Sequence, residues 1–455
     1  MTNSANRNSK IRNDRLRSGI SPARLAAYQI LKRVEEDGAY ASVLLAVEDD
    51  LSERDRSLTY ELTMGVLRRQ LMLDCLIEHY ANRDPARLDT AIRRILRLAL
   101  YQLRHLSRVP ASAAVNEAVN LTRFARLRSA DKFVNAVLRR AVREPDYDPL
   151  ALIADPLERI AVETSHPRWL FERWSREFGL ADAHEFAKAN NEVPATSFRI
   201  VAEKTTNDTV EQLRKSGATL TRSAIAKDAW IVSGNASTLR QLVRAGSLYL
   251  QDEASQLVSQ LAAPLPGEWI LDLCAAPGSK TTHLASLADN KAHVMAGDLY
   301  EHRLRLILQA AQLQRVTRVD CILLDGERPP FREMSFDRVL VDAPCSGTGT
   351  LRRNPEIRWR ISPADIEELS TRQKGLLHES ADVVKPGGRL VYSTCSVEVE
   401  ENEMVVANFL QRHSDFLVIQ PDVDPALTTG SGAVRTWPHR DGSDGFFICV
   451  FERRP

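Results

Sequence analysis

The 455-residue chain has few cysteines, six in all at positions 75, 274, 321, 345, 395 and 449, and no two of them form a CxxC pair. This excludes a disulfide framework and a tetrahedral zinc site, so no metal is expected and a reducing cytoplasm is the expected compartment. Long apolar runs are missing too: no stretch approaches the roughly 18 residues of a membrane span, and the charged N-terminus lacks the apolar core of an export signal. A soluble cytoplasmic protein is the expectation, without a membrane partner. Net charge is also missing, at +1, although a global sum can conceal a local field. Hydrophobic residues make up 44% of the chain, enough to fill the cores of the two to four domains that this length implies.

The charge is unevenly distributed. Between Arg87 and Arg143 stand thirteen basic residues, at 87, 93, 94, 97, 104, 108, 123, 126, 128, 132, 139, 140 and 143, against Asp89, Glu117 and Asp131, a local excess of 10. Residues 1–19 add Arg7, Lys10, Arg12, Arg15 and Arg17 against Asp14, and read as a disordered basic arm. Any one of these arginines can be part of a solvated helix face. As a block they repel one another unless a polyanion offsets them, which favours phosphate binding. Replacing Arg93, Arg94, Arg97 and Arg104 together is then expected to weaken binding of that polyanion and its salt dependence.

Residues 20–145 have helical periodicity. In "DTAIRRILRLALYQLRHL" Ile92, Ile95, Leu96, Ala99, Leu103 and Leu106 form one stripe with the arginines on other faces, and "ADKFVNAVLRRAVRE" repeats the pattern. "EPDYDP" reads as a linker. Residues 150–260 mix a helix, "HPRWLFERWSREFG", with strands such as "TSFRIV" and "AWIVSG", and form a connecting helical and small α/β module.

From residue 261 to 455 the rhythm is regular. "WILDLCA", "HVMAGDL", "VDCILLDG", "FDRVLVDAP" and "GRLVYSTCS" alternate with helices, which predicts a doubly wound, mainly parallel α/β sheet with ligands at the C-terminal strand ends. The turn in "LCAAPGSKTTHLA" is neither GxGxxG nor a Walker loop, which argues against a dinucleotide or ATP and for an adenosine-bearing ligand without pyrophosphate. Asp298 closes the second strand, where an acid can accept both hydroxyls of a ribose. Asp325 ends the third and Asp342 the fourth. A single such aspartate can merely cap the next turn; the run of them at successive strand ends favours a site. Cys345 and Cys395 lie at neighbouring strand ends, and the residues alone do not rank them as nucleophiles. Cys75, Cys321 and Cys449 sit in apolar runs and read as buried packing.

"DLCAAPGSKT", "DAPCSGTGTLRRNPEIRW" and "YSTCSVEVEENE", in this order on successive strands, resemble the S-adenosylmethionine-dependent RNA cytosine carbon-5 methyltransferases, most closely those acting on bacterial 16S ribosomal RNA. The likeness extends to residues 20–145, similar to the NusB-like helical RNA-binding domain that such enzymes carry, and to "NNEVPATSFRI" and "SLYLQDEASQLV" in the connecting module. It implies a class I Rossmann-like methyltransferase domain and S-adenosyl-L-methionine as cofactor. The cofactor site falls on Cys274, Ala275, Ala276, Pro277, Gly278, Ser279 and Lys280, with Asp298 on the ribose, Asp325 near the adenine and Asp342 beside the methyl-transfer centre.

By the same resemblance Cys395 is the nucleophile that adds to carbon-6 of cytosine, Cys345 assists product release, and Asp342 grips the base. The implied target is cytosine 967 of free or early-assembly 16S rRNA, with no DNA partner and a monomeric enzyme. The target base must be unpaired or extruded to be attacked. The alternatives are the same chemistry on transfer RNA, or a non-catalytic RNA-binding assembly factor. Two positions depart from the family pattern: Val399 stands where proline is usual, and Ser279 where glycine is.

Overall fold

The computed structural model describes residues 19–48, 50–201, 206–234 and 236–455. Apart from Gly19, the basic arm expected over residues 1–19 lies outside the described residues. The chain divides into two units: Met1–Glu192 with Leu351–Arg360, and Val193–Thr350 with Ile361–Pro455.

The first unit is helical. It comprises α1 (Pro22–Glu36), α2 (Ala41–Ala46), α3 (Glu53–Arg68), α4 (Gln70–Ala81), α5 (Thr90–His105), α6 (Ala111–Phe124), α7 (Asp131–Arg143), α8 (Pro156–Thr164), α9 (Arg168–Phe178) and α10 (Leu180–Ala189). The Asp89 carboxylate caps α5 by accepting the Ala91 amide at 2.8 Å. The apolar stripe read from the sequence is present, with Ile95, Leu96 and Ala99 buried in one continuous core. What the stripe did not indicate is that α5 is the central helix, packed by α1, α3, α4, α6 and α7, so that every residue from Arg94 to Gln102 is buried.

This corrects the reading of the arginine block. Arg94 is 1% exposed and pairs with Glu35 at 2.6 Å and Glu36 at 3.0 Å; Arg97 pairs with Asp74 at 2.6 Å and Glu35 at 3.3 Å. Burial alone would lower the Arg94 guanidinium, but Glu35 more than compensates and holds it above its ordinary value. Arg104 donates to the Pro145 carbonyl and, at 2.5 Å, to that of Tyr147. The counter-charges thus come from α1 and α4, outside the counted block, and no polyanion is needed to offset Arg94 and Arg97. Arg87, Arg108, Arg123, Arg126, Arg128, Lys132, Arg139 and Arg143 do remain exposed.

Leu351–Arg360 joins this helical unit although it lies within the stretch the sequence assigns to the methyltransferase domain. The Ala41 amide donates to Glu356 at 2.8 Å, and Arg360 donates to the carbonyls of Val34 and Ala39, both at 2.7 Å. Arg358, fully buried, donates to the Ser165 carbonyl at 3.0 Å and Asn191 Oδ1 at 2.9 Å, and burial brings its guanidinium down to about 9.

The second unit opens with β1 (Thr196–Ile200), α11 (Thr206–Lys215), β2 (Thr219–Arg222), β3 (Trp230–Ser233), α12 (Ala236–Arg244) and β4 (Leu248–Leu250). These form an antiparallel sheet of order β2-β3-β1-β4, the split βαβ arrangement of a ferredoxin-like module. After α13 (Glu253–Ala262) the larger sheet begins with β5 (Trp269–Asp272), α14 (Ser279–Leu287), β6 (His293–Asp298), α15 (Glu301–Leu313), β7 (Val319–Leu323) and β8 (Phe336–Asp342). It continues with α16 (Pro363–Asp382), β9 (Val384–Thr394), α17 (Glu403–Arg412), β10 (Phe416–Val418), β11 (Val434–Arg435), α18 (Pro438–Asp441) and β12 (Phe447–Arg453).

The strand order is β10-β12-β9-β8-β5-β6-β7; β5 to β9 run parallel, and β12 closes antiparallel on β9. Side chains alternate between two cores, Val339 and Val341 on one face and Leu340 on the other, as a strand buried on both faces requires. The chain runs outward from β5 to β7 and returns at β8, so the switch point lies between β5 and β8, where a doubly wound sheet opens a ligand crevice. Cys449 is buried as expected, whereas Cys75 and Cys321 are only half-buried. No described helix is long and apolar enough to cross a membrane.

Candidate active site

The expected cofactor loop, residues 274–280, leaves β5 at the switch point. The Ala275 amide donates to the Gly297 carbonyl at 2.8 Å, tying the loop to the end of β6. Gly278 has φ +100°, and a Cβ there would stand 3.0 Å from Ile307 Cα, so this turn admits glycine alone without strain. Ser279 begins α14 despite departing from the family's glycine, and the first amides of that helix are the groups a helix leaves free for an anionic ligand. Arg199 of β1 braces the same turn, donating to Thr282 Oγ1 at 3.0 Å and Gln314 Oε1 at 2.6 Å.

Asp298, 4% exposed, ends β6; its carboxylate accepts the Tyr300 amide at 3.1 Å and pairs with Arg303 at 3.3 Å. Arg303 also donates to the Ala276 carbonyl at 3.1 Å, so one side chain links the acid to the loop. Asp325 lies two residues beyond β7, is exposed, and accepts the Glu327 amide at 3.1 Å. Asp272, the last residue of β5, carries no signal in the sequence beyond its strand-end position and is 1% exposed. Thr281 donates to its Oδ2 at 2.7 Å while Oδ1 has no partner, and burial pushes its carboxyl up to about 7. A buried acceptor left open beside a glycine turn and a helix N-terminus fits a ligand bearing both an amine and a carboxylate, and the oxygens of Asp298 retain lone pairs for ribose hydroxyls.

Asp342 ends β8 and is held on both sides: Lys280 Nζ lies 2.7 Å from Oδ2, and Ser393 Oγ donates to Oδ1 at 2.7 Å. Burial alone would lower the Lys280 ammonium; Asp342, and after it Cys395 and Asp272, more than compensate and hold it above its ordinary value. A permanent cation therefore stands among Asp342, Cys395 and Asp272.

The two strand-end thiols meet. Cys345 Sγ and Cys395 Sγ are 3.3 Å apart, and both residues are half-buried. The hydrogen bond to Cys395, then burial, then the charges of Cys395, Glu401 and Asp342 push the Cys345 thiol well above its ordinary range. Cys345 thus holds its proton tightly, and either sulfur can donate in the contact between the two. Cys274 is driven up as well, chiefly by burial and then by Asp272, and stays a thiol. The structure brings together Cys345, Cys395, Asp342 and Lys280, and leaves Asp325 at the exposed rim.

A family model described as 16S rRNA methyltransferase RsmB/F matches residues 259–452, a NusB family model matches residues 21–143, and a ferredoxin-like domain of RsmF/B-like methyltransferases matches residues 166–238. A probable ribosomal RNA small subunit methyltransferase B of Bacillus subtilis is 34% identical, with 94% of this chain and 98% of the relative covered. That of Synechocystis is 37% identical, covering 95% and 99%. Among solved structures, the protein PH0851 aligns with a TM-score of 0.82 at 28% identity over 96% of this chain and 98% of its own. A methyltransferase homologue from Pyrococcus horikoshii gives 0.58 at 28% identity, covering 66% and 100%. With all three parts matched and relatives aligned along almost their whole length, the chain belongs to the ribosomal RNA small subunit methyltransferase B family, whose cofactor is S-adenosyl-L-methionine.

Proposed function

We propose that this enzyme methylates carbon-5 of a cytosine in 16S rRNA, with cytosine 967 the position its resemblance implies, through a covalent adduct on Cys395. The observation that carries the reading is the 3.3 Å pair of thiols at the ends of adjacent strands, beside the Lys280–Asp342 ion pair. Carbon-5 of cytosine is a poor nucleophile until a thiolate adds at carbon-6, and release then requires loss of the carbon-5 proton. One thiol for attack and a second for release match this two-stage demand.

Bound S-adenosylmethionine supplies the electrophilic methyl group. The Cys395 thiolate, beside the Lys280 ammonium, forms the bond to carbon-6, and that bond breaks again at release. Cys345 serves the release stage, where as a thiolate it takes the carbon-5 proton while the Cys395–carbon-6 bond breaks and its electron pair returns to Cys395, and attack is left to Cys395. Asp342, fixed by Lys280 and Ser393, orients the polar edge of the base and favours protonation at N3. Asp298 receives the ribose, Asp325 lies near the adenine, and residues 274–280 receive the methionine end. In this reading residues 20–145 dock free or early-assembly RNA, residues 150–260 connect, residues 261–455 catalyse, and the enzyme acts as a monomer. Exposed basic residues of the helical unit, not Arg94 or Arg97, make the phosphate contacts.

The test is tritium transfer from S-adenosylmethionine to purified 16S rRNA, transfer RNA and DNA, followed by nucleoside identification. Label in 16S rRNA as 5-methylcytosine is expected. Label confined to transfer RNA, or a different methylated nucleoside, overturns the proposal.

A further inference from the structure

Glu401 is fully buried yet belongs to none of the roles above. Its Oε1 accepts the Ser346 amide at 2.8 Å and Gln373 Nε2 at 2.9 Å, and its Oε2 accepts the hydroxyls of Ser346 and Ser396. Ser346 directly follows Cys345, and Ser396 directly follows Cys395. One acceptor-only group thus gathers four donors and joins the two thiol-bearing loops at the residue after each thiol.

Glu401 is itself anchored. Its carbonyl accepts Tyr392 OH at 2.5 Å, and its neighbour Asn402 accepts from Thr394 Oγ1 at 2.6 Å and donates to the Ser396 carbonyl at 2.9 Å. The 3-10 turn Val399–Glu401 that delivers it forms with Val399 where the family's proline is usual. Elsewhere the loops touch through backbone: the Gly349 amide donates to the Cys395 carbonyl at 2.9 Å, and a Cβ on Gly349 would stand 2.0 Å from the Gly445 carbonyl oxygen. Gln373, the fourth donor, also holds the Pro344 carbonyl at 2.9 Å, just before Cys345.

We propose that Glu401 is a positioning residue that clamps the Cys345 and Cys395 loops together, so that both thiols address the same bond of the substrate base. The proposal rests on the two-thiol reading, but its physical content is the distance between two sulfurs, which can be measured without RNA. Glutamine is the informative replacement: it keeps the shape, but its amide points two donors at groups that are themselves donors.

The experiment oxidises the apo-protein with diamide, which takes one hydrogen from each thiol onto its N=N bond and leaves a Cys345–Cys395 disulfide. The rate is followed by mass spectrometry in wild type, Glu401→Gln and Ser396→Ala. With the sulfurs at 3.3 Å the wild type closes readily; Glu401→Gln closes about tenfold more slowly or worse, and Ser396→Ala, which removes one donor only, falls between. The turnover number for RNA falls in the same order, while the affinity for S-adenosylmethionine stays within about twofold. A Glu401→Gln disulfide rate equal to wild type overturns the proposal, as does lost turnover that tracks lost cofactor affinity. If Glu401→Gln fails to fold, Ser396→Ala carries the same test. Absence of 5-methylcytosine from the wild type would instead strike the functional reading and leave the disulfide rates to judge the clamp.

Discussion

The helical unit and the catalytic sheet each contain a buried cation held by carboxylates, and the two are used differently. Arg94 and Arg97 meet acids delivered by α1 and α4, and the result is a closed ion-pair cluster inside a helix bundle. Lys280 meets Asp342 at a strand end whose other neighbours are a thiol, an open carboxylate oxygen and a glycine turn. The first arrangement encloses both cations among carboxylates inside the bundle. The second leaves its cation at the edge of a crevice, where a further group can share it. Charge density alone does not separate a binding site from a structural pair; what separates them is whether the surrounding elements close over the charge.

Deleting each kind of cation tests that distinction. Lys280→Met should lower turnover by about 10²–10³-fold, because Asp342 and Cys395 lose their common cation, and a normal single-turnover rate would contradict it. Arg97→Met should cost about 3 kcal/mol of folding stability, since Asp74 and Glu35 are left facing a buried apolar side chain, while the salt slope of RNA binding stays unchanged. Denaturant unfolding and filter binding at several salt concentrations read both quantities. Replacing exposed Arg126, Arg128, Lys132 and Arg139 with glutamine should do the reverse. Stability should move by less than about 0.5 kcal/mol, while RNA affinity and the salt slope both fall. An unchanged slope would remove this face from the docking surface.

The last effect is a pH dependence and concerns Asp272. Its carboxyl is raised from 3.8 to about 7 in the folded chain, mainly by burial. The stability it contributes is therefore complete below about pH 4 and is lost as pH rises through 7. Stability of wild type minus that of Asp272→Asn, both without cofactor, should decline between pH 4 and 7 and then level off. A difference independent of pH would show that this carboxyl titrates normally.

The comparison also explains what the sequence made legible. Strand ends could be read because short apolar runs stop at Asp or Cys within one or two residues, a local signal, and Asp298, Asp342, Cys345 and Cys395 all lie where that signal placed them. The partners of Arg94 stand about sixty residues away in α1, beyond the reach of any local charge count. Glu401 was visible only as part of "EENE"; its meaning depends on Ser346 and Gln373, which only the folded sheet brings near. Strand β2 was missed because its residues are mostly exposed and show no apolar alternation. Leu351–Arg360 was read with the domain that surrounds it in the chain, because nothing in "LRRNPEIRWR" indicates that its buried Arg358 and Glu356 find their partners in the helical unit.

The division of labour between the thiols is tested most directly by trapping. Wild type, Cys395→Ala and Cys345→Ala are incubated with 16S rRNA and S-adenosylmethionine, and protein–RNA adducts that survive denaturation are counted. Cys345→Ala should accumulate a stable adduct, and Cys395→Ala should form neither adduct nor 5-methylcytosine. An adduct on Cys395→Ala, with none on Cys345→Ala, would exchange the two roles and contradict the account.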